Sequence, residues 1–298
     1  MLENAKYAYA FSSGMAAMTA IFMMFKPGDH VLISRNVYGG VFRLVTKVLN
    51  DNKVDFEFID TTNLDTIAES ITENTKLIHL ETPSNPLLEL ADIKKVSELA
   101  HKNNVLVSVD NTFMGSYGQR PLDLGADIVM HSTTKFLSGH SDVLSGALMI
   151  NDDSASEKIT LIQNTGGALP SPFDAWLLLR SVKTLSVRVE KQFDNAGKIA
   201  KWLDNNSRVT RVIYPGLKSH PQHELAKKQM NGFGGIISLE IKSGLEASKK
   251  FLEKTKIFSL AESLGGVESL IEHPALMTHA SVPKAVRDEI GISDGLIR

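Results

Sequence analysis

The stretch SVDNTFMGSYGQRPLDLGADIVMHSTTKF, residues 108–136, places an acid and a lysine after two apolar runs. Asp110 ends the run VLVSVD, and Lys135 lies just past the run ADIVMHS, behind a serine and two threonines. Continuous apolar runs of this length are typical of strands that are buried on both faces of a parallel sheet. Ligands of such sheets bind beyond the carboxyl ends of the strands, so we predict a site that contains Asp110 and Lys135.

The surrounding sequence predicts an open α/β sheet. Before residue 150, short apolar runs such as DHVLIS, VDFEFID and KLIHLET alternate with amphipathic stretches such as LDTIAESIT and IKKVSELAHKNN. This alternation predicts a mostly parallel sheet with helices on both faces. A long helical periodicity begins at Pro172, and shorter strands and helices begin at VTRVIY. We therefore expect a large domain over residues 1–182 and a smaller α+β domain over residues 183–298.

Composition excludes several classes of function. The chain has 298 residues, 43% of them hydrophobic, and its formal net charge of −2 gives no reason to expect a nucleic-acid partner. No apolar run approaches the roughly 20 residues of a membrane span, and the N-terminus lacks a signal-peptide pattern, so we expect a cytoplasmic protein without membrane contact. Zero cysteines exclude disulfides and thiolate chemistry. The histidines lack a carboxylate partner at metal-binding spacing, so we expect no metal site.

The surroundings of Lys135 distinguish it from an ordinary solvated lysine. A catalytic amine must be reachable by a carbonyl group, and burial or a nearby cation must lower its pKa, which a strand end in a crevice can supply. If the segment is extended, Ser132 and Thr134 offer their hydroxyl groups on one side. Upstream, SSGMAA is a small-residue turn before a helix, where the amides of Gly14 and Met15 would favour phosphate.

These groups match the requirements of pyridoxal 5'-phosphate. The cofactor needs a lysine, a carboxylate that keeps its pyridine nitrogen protonated, and hydroxyl and amide groups for its phosphate. Each feature alone has a plainer explanation: SSGMAA could be a capped helix packed on a strand, and Asp110 could cap the following helix. Their combination favours the cofactor.

Several motifs resemble those of the pyridoxal phosphate-dependent enzymes of cysteine and methionine metabolism. They are DNTF, QRPLDLGADIVMHSTTKFLSGHSDVLSG, AFSSGMAA, NVYGG, ETPSNP and LAESLGGVESLIEHPALMTHAS. The resemblance covers essentially the whole chain, and the lysine motif is highly specific. It implies an aminotransferase-like fold of type I and a homo-oligomer, a dimer of dimers, whose active sites are shared between subunits.

The resemblance also implies a role in cofactor binding for each matching residue. Lys135 would form the Schiff base and shuttle protons, and Asp110 would pair with the pyridine nitrogen. Tyr38 in NVYGG would stack on the cofactor ring and help to move protons, although an aromatic residue at a helix start can also be purely structural. Asn85 in ETPSNP would bind the ring oxygen, and Glu81 would hold that loop. The phosphate would be bound by Ser132, Thr134, Gly14 and Met15.

Further residues would bind the substrate and select it. Ser263 would contact the lysine or the substrate carboxylate, and Arg298 would grip that carboxylate with its planar guanidinium group. Glu262, before the serine of SLGG, could meet the distal ammonium of cystathionine, which favours this substrate over methionine. Gly40 stands where methionine gamma-lyases have a cysteine, and Leu264 stands where enterobacterial cystathionine beta-lyases have an aromatic residue.

These features predict the γ-elimination of cystathionine, which gives cysteine, 2-oxobutanoate and ammonia. Two other reactions stay open: cystathionine gamma-synthase activity, which joins activated homoserine to cysteine, and cystathionine beta-lyase activity. A dinucleotide-binding protein of the α/β class would show a GxGxxG turn after its first strand, and this sequence has none.

A truncated, inactive fold-mate is the alternative that is not an enzyme. The family's N-terminal arm, a YSRxxNPT-type segment whose tyrosine and arginine reach the phosphate of the neighbouring subunit, is absent from this sequence. The sequence also stops at Arg298, where a new strand begins. We therefore expect the chain to be truncated at both ends.

Overall fold

A seven-stranded sheet forms the centre of the computed structural model, which describes residues 2–280 and 284–298. Its strands are β1 (Tyr7–Phe11), β2 (His30–Ser34), β3 (Asp55–Ile59), β4 (Thr75–Glu81), β5 (Leu106–Asp110), β6 (Ile128–His131) and β7 (Gly146–Ile150). They lie in the order β1-β7-β6-β5-β4-β2-β3. The five strands from β6 to β3 are parallel, whereas β7 is antiparallel to β1 and β6. The predicted α/β fold with a mostly parallel sheet is confirmed.

Helices cover both faces of this sheet. In chain order the helices are α1 (Gly14–Phe22), α2 (Gly39–Arg43), α3 (Leu64–Ser70), α4 (Ile93–Lys102), α5 (Gly115–Gly118), α6 (Asp153–Gly166), α7 (Pro172–Ser181), α8 (Leu185–Asp204), α9 (His223–Gln229), α10 (Gly244–Glu253) and α11 (Lys284–Glu289). On strand β2, Val31 and Ile33 pack with α1, α2 and α6, while Leu32 packs with α3 and α4. Both faces of the strand are therefore buried, as its continuous apolar run predicts.

A smaller set of strands follows α8. Strands β8 (Val209–Ile213), β9 (Ser238–Ile241) and β12 (Leu296–Ile297) form an antiparallel sheet, and β10 (Ser259–Leu260) pairs with β11 (Leu270–Ile271) in parallel. The helical periodicity that begins at Pro172 forms α7 and α8, which are separated by a 3-10 turn over Val182–Thr184. The domain boundary near residue 182 falls in this turn and stays a prediction.

The strand order creates a crevice at one edge of the large sheet. From β2 the chain moves outward to β3 and then returns past β2 to β4, so the connections after β2 and β4 leave in opposite directions. Ligands of open α/β sheets bind at such a reversal. Strands β4, β5 and β6 end there in the buried residues Glu81, Asp110 and His131. Among the described helices, none has the length and apolar character that a membrane crossing requires.

Candidate active site

A cavity of about 350 Å³ lies beyond the carboxyl ends of β4, β5 and β6. This volume lies within the usual range of sites for small organic ligands, about 300–1,000 Å³. Every site residue that the sequence suggests lines this one cavity: Gly14, Met15, Tyr38, Glu81, Asn85, Asp110, Ser132, Thr134, Lys135, Glu262, Ser263 and Arg298. The fold therefore brings together residues from both ends of the chain.

The start of α1 forms one wall of the cavity. Ser13 has an extended backbone, and its hydroxyl accepts a hydrogen bond from the N–H of Ala16 at 3.0 Å, so it caps the helix. The amides of Gly14 and Met15 lie in the first turn, where no carbonyl of the helix can accept their hydrogens. A Cβ atom at Gly14 would lie only 2.9 Å from the Cβ of Ser132. The helix start and Ser132 therefore pack directly against each other, and together they offer the cavity a cradle of amide and hydroxyl donors that suits an anion.

The segment after β6 turns instead of continuing as a strand, contrary to the extended arrangement expected for Ser132 and Thr134. The N–H of Lys135 donates back to the carbonyl of Ser132 at 3.1 Å, and Gly139 donates to the carbonyl of Lys135 at 2.7 Å. The turn forms because the chain must reverse to enter the antiparallel β7, and Thr134 fixes it through two hydrogen bonds with the backbone of Ser145. Both hydroxyl residues still line the cavity.

Lys135 extends from this turn into the cavity. Its Nζ donates to the hydroxyl of Ser263 at 3.3 Å. Burial lowers the pKa of Lys135, the nearby Arg298 lowers it further, and Glu272 opposes both effects. The amine therefore gives up its proton more readily than a solvated lysine does, as a proton-transferring group requires.

Thr112 connects Asp110 to the cradle. The N–H of Thr112 donates to Asp110 at 2.9 Å, and its hydroxyl accepts from the N–H of Ser132 at 2.8 Å. Burial raises the pKa of Asp110, whereas the hydrogen bonds from Thr112 lower it. Our reading of the sequence missed Thr112, although an acid followed two residues later by threonine is typical of a turn in which the carboxylate accepts a backbone hydrogen.

Glu81 holds two of the loops that surround the cavity. Its carboxylate accepts the N–H of Tyr38 at 2.7 Å and also the N–H of Asn85. Glu81 is the register partner of Asp110 on the neighbouring strand, and burial together with the charge of Asp110 raises the pKa of Glu81 well above its usual value. Two adjacent buried carboxyl groups are best accommodated with one proton, and because the pKa of Glu81 is raised more strongly than that of Asp110, the charge is favoured on Asp110.

The ring of Tyr38 lies directly over Gly40. A Cβ atom at Gly40 would lie 2.5 Å from the Cε1 atom of Tyr38 and 2.8 Å from the sulfur of Met15. A larger residue at position 40 would therefore move this ring, which is about half exposed and lines the cavity. The absence of a side chain at this position determines where Tyr38 can lie.

Arg298 lines the same cavity as Lys135 and connects several parts of the site. Its Nη1 donates to the side-chain oxygen of Asn85 at 3.0 Å, and its Nη2 donates to the carbonyls of Glu262 and Ser263 at 2.9 and 3.2 Å. Nη1 also lies 3.1 Å from the carboxylate of Glu272, which our sequence analysis did not identify as a site residue. The site thus has a cation at one end and the Asp110 carboxylate at another.

The residues present fit pyridoxal phosphate. The cradle formed by the start of α1 and Ser132 suits a phosphate, the buried carboxylate of Asp110 suits a protonated ring nitrogen, and Lys135 supplies the amine. Among the described residues, no group of three or more histidines and acids that could hold a metal ion is found.

Comparison with known proteins identifies the family. A model of the Cys/Met metabolism PLP-dependent enzymes matches residues 1–298. The chain belongs to this family. The family depends on pyridoxal phosphate, so the proposed cofactor is confirmed.

The relatives differ in the reactions for which they are named. The cystathionine gamma-lyase of Dictyostelium discoideum is 52% identical over 296 residues, which are 99% of this chain and 76% of that protein. A cystathionine beta-lyase of Lactococcus lactis subsp. cremoris is 51% identical over 297 residues, covering 100% of this chain and 78% of that protein. Cystathionine gamma-synthases are also among the relatives. Sequence identity therefore does not select one reaction.

A solved structure supports the same assignment of the fold. The crystal structure of cystathionine gamma-lyase from Lactobacillus plantarum complexed with L-serine aligns with a TM-score of 0.97 at 44% identity. The alignment covers 99% of this chain and 77% of that one. The fold of type I is therefore confirmed.

Replacing Gly14 with alanine should weaken cofactor binding roughly five- to hundredfold, because overpacking a tight contact costs about 1–3 kcal/mol. The new methyl group would lie 2.9 Å from the Cβ of Ser132 and separate the two walls of the cradle. The measurement is a titration of the cofactor-free protein with pyridoxal phosphate, followed by visible absorption. Gly166→Ala is the matched control, since nothing lies within 4 Å of that position. Equal affinities of the two variants would contradict a phosphate site here.

Proposed function

We propose that this chain cleaves cystathionine by γ-elimination, with Lys135 as the base and Arg298 and Glu262 as the groups that bind the two ends of the substrate. The observation that carries the proposal is the joint position of Arg298 and Glu262 on the cavity of Lys135. The guanidinium group of Arg298 donates to the main-chain carbonyl of Glu262 at 2.9 Å, and both side chains line that cavity. A cation for the α-carboxylate and an anion for the distal ammonium thus both border the same cavity.

Arg298 is placed to orient the α-carboxylate of the substrate. A planar guanidinium group binds a carboxylate through two parallel hydrogen bonds, which fixes orientation as well as position. Its neighbours Asn85 and Ser263 hold the group at the cavity wall. The Cα–H bond of a substrate held in this way can face Lys135, which lies on the same cavity.

Lys135 would move the protons of the reaction. When bound, the cofactor supplies an electron sink that stabilises negative charge at the substrate Cα. The Nζ of Lys135 would accept the Cα proton, pass it on to the cofactor-bound fragment, and as a free base again accept a β proton. The hydroxyl of Ser263 would hold that nitrogen in position. The γ-thiolate then leaves as cysteine, and hydrolysis of the remaining fragment gives 2-oxobutanoate and ammonia.

Asp110 and Tyr38 would hold the cofactor in place. The carboxylate of Asp110 is buried at the end of β5 and accepts from Thr112, which fixes its orientation, and it would pair with a protonated ring nitrogen of the cofactor. Tyr38 is anchored by its N–H to Glu81 and would stack on the ring. The phosphate would be bound by Gly14, Met15, Ser132 and Thr134, and the ring oxygen by Asn85.

Two related reactions are the alternatives, and the same residues could serve both. β-elimination of cystathionine releases homocysteine and pyruvate, and γ-replacement on an activated homoserine with cysteine builds cystathionine. Glu262 favours a second amino group in the bound molecule, and because cystathionine takes part in all three reactions this residue does not separate them. We place γ-elimination first because Leu264 stands where the enterobacterial beta-lyases have an aromatic residue, as the family resemblance implies.

The deciding experiment is an assay of the holoprotein with cystathionine that measures 2-oxobutanoate and pyruvate separately. We expect 2-oxobutanoate to exceed pyruvate, because γ-elimination leaves the four-carbon keto acid. An excess of pyruvate would mean β-cleavage. A parallel reaction with cysteine and an O-acylated homoserine tests for the synthase. A protein that stays colourless when pyridoxal phosphate is added would instead be an inactive fold-mate.

We also propose that the protein assembles into a homo-oligomer, a dimer of dimers with shared active sites. Helix α7 supports an interface because its large apolar side chains are mostly exposed: Phe173 is 65% exposed, Trp176 56% and Leu179 66%. These residues follow each other at intervals of three and lie along one side of the helix. Contiguous apolar surface of this kind is typical of protein–protein contacts.

A further inference from the structure

Glu272 and Arg298 face each other on two paired backbone segments. The N–H of Glu272 donates to the carbonyl of Arg298 at 2.9 Å, and the N–H of Arg298 donates to the carbonyl of Glu272 at 3.0 Å. Their side chains meet as an ion pair, with 3.1 Å between Nη1 and Oε1. The backbone bonds fix the two residues next to each other whatever the charge of the carboxyl group.

The terminal nitrogens of Arg298 have protein partners before any ligand arrives. Both of its terminal nitrogens already donate hydrogen bonds, to Asn85 and to the carbonyls of Glu262 and Ser263, and Nη1 also forms the ion pair with Glu272. Within the described part of the chain, this guanidinium group forms its ion pair with the carboxylate of Glu272. A substrate carboxylate that binds Arg298 must therefore share the cation with Glu272 or replace it.

The carboxyl group of Glu272 is poorly suited to remain charged beside a second carboxylate. It has no exposed surface, its Oε1 accepts the hydroxyl of Thr278 at 3.2 Å, and its Oε2 is buried without a hydrogen-bond partner. Burial raises the pKa of Glu272 to about 7, although the charge of Arg298 lowers it. An unbonded buried oxygen is costly when charged and offers a place for a proton.

Several charged and titratable groups surround this carboxyl group. Arg298, directly after β12, and Lys135, in the turn after β6, stabilise its charged form, whereas Glu262 opposes it. His279, whose ring bonds to the hydroxyl of the neighbouring threonine, is neutral because burial lowers its pKa to about 4. The ring of His273 is bonded to a main-chain carbonyl. Arg298 is thus the cation in direct contact with the carboxyl group.

We propose that Glu272 takes up a proton when a substrate carboxylate binds Arg298, and that this positioning residue thereby sets the pH range in which the site binds amino acids. The proton comes from solvent, and no covalent bond to the substrate is involved. Two carboxylates on one buried guanidinium group repel each other, whereas a protonated Glu272 leaves the cation to the ligand. This inference rests on the proposed role of Arg298 in binding the substrate carboxylate.

The test is the affinity of the holoprotein for L-alanine, which has an α-carboxylate but no leaving group and is therefore not consumed by elimination. Dissociation constants are measured by visible absorption of the cofactor from about pH 6 to about pH 8.5. One proton taken up at Glu272 makes the wild-type constant rise up to about tenfold per pH unit above its pKa, in addition to any slope that other groups cause. Glu272→Gln lacks that additional slope and should bind more tightly than the wild type at about pH 8.5.

Two controls make this result decisive. Glu253→Gln removes an exposed carboxylate that does not line the cavity and should follow the wild-type curve. Calorimetry in two buffers of different ionisation enthalpy at about pH 8 should find that the wild type takes up close to one more proton per L-alanine than Glu272→Gln. Parallel curves with equal proton uptake would overturn the proposal. Affinity that does not change in Arg298→Ala would instead overturn the proposed carboxylate site, and this inference with it.

Discussion

Lys135→Ala is expected to abolish turnover of cystathionine, with a loss of about 10⁴-fold or more in kcat. The substitution removes in one step the amine that binds the cofactor covalently and the base that moves the substrate protons. It also removes the hydrogen bond to Ser263. The visible colour of the holoprotein should change at the same time, because the cofactor loses its bond to the lysine.

Two variants make the Lys135 prediction specific. Lys135→Arg keeps a positive charge beside Ser263 but supplies a group that cannot be deprotonated, so it should be as inactive as the alanine variant. Lys158→Ala removes an exposed lysine on α6 and should leave kcat and the absorption spectrum unchanged. The measurements are initial rates of keto-acid formation and the absorption spectrum. If Lys135→Ala keeps more than a few per cent of the activity, another group is the base.

The fold follows from patterns that the sequence carries locally. Residues 30–34 contain a continuous apolar run because alternate side chains meet helices on opposite faces of the sheet. Both the strand and its burial could therefore be predicted from the sequence. Residues 108–110 and 128–131 could be predicted as strands in the same way, and their carboxyl ends define the site. The local patterns do not specify which strands become neighbours, because strand order depends on long-range pairing.

Site residues could be predicted from the sequence where the chemistry of the side chain itself, such as an amine or a carboxylate, indicates the role. Asp110 ends an apolar strand and Lys135 follows another. A lysine and an acid at such positions are uncommon, so a catalytic role for them could be predicted from the sequence. The conformation after β6 was not predictable in this way, because the turn depends on bonds between Thr134 and Ser145 on the approach to the next strand. Sequence alternation alone wrongly favours an extended segment there.

Glu272 shows why other site residues stay hidden in the sequence. Its neighbours in the chain do not indicate that Glu272 forms an ion pair. The motif that contains Glu272 identifies the family but does not predict a role for this carboxylate. The pairing appears only when the backbone of residue 298 bonds to that of residue 272 and brings their side chains within 3.1 Å. The role of a buried acid depends on its charged partner, and only the tertiary structure shows which residue that partner is.

Asp110→Asn is expected to weaken cofactor binding roughly ten- to hundredfold, because a hydrogen bond to a charged partner contributes about 1.5–3 kcal/mol. The asparagine oxygen can still accept the N–H of Thr112, so the fold should be kept while the charge is lost. A cofactor whose ring nitrogen is no longer held protonated is a weaker electron sink, and removal of the Cα proton by Lys135 should slow accordingly.

Glu81→Gln provides the contrast that tests this charge assignment. Burial and the charge of Asp110 raise the pKa of Glu81 well above its usual value, although hydrogen bonds from the N–H groups of Tyr38 and Asn85 oppose this, and we therefore expect Glu81 to hold the proton of the pair. Glutamine resembles that protonated form and can still accept the N–H of Tyr38, so the loss of cofactor affinity should be less than about tenfold. Titration with pyridoxal phosphate and measurement of kcat, carried out for both variants, show whether Asp110 or Glu81 carries the negative charge. A larger loss in Glu81→Gln than in Asp110→Asn would place the negative charge on Glu81 and would contradict the assignment of Asp110 to the ring nitrogen.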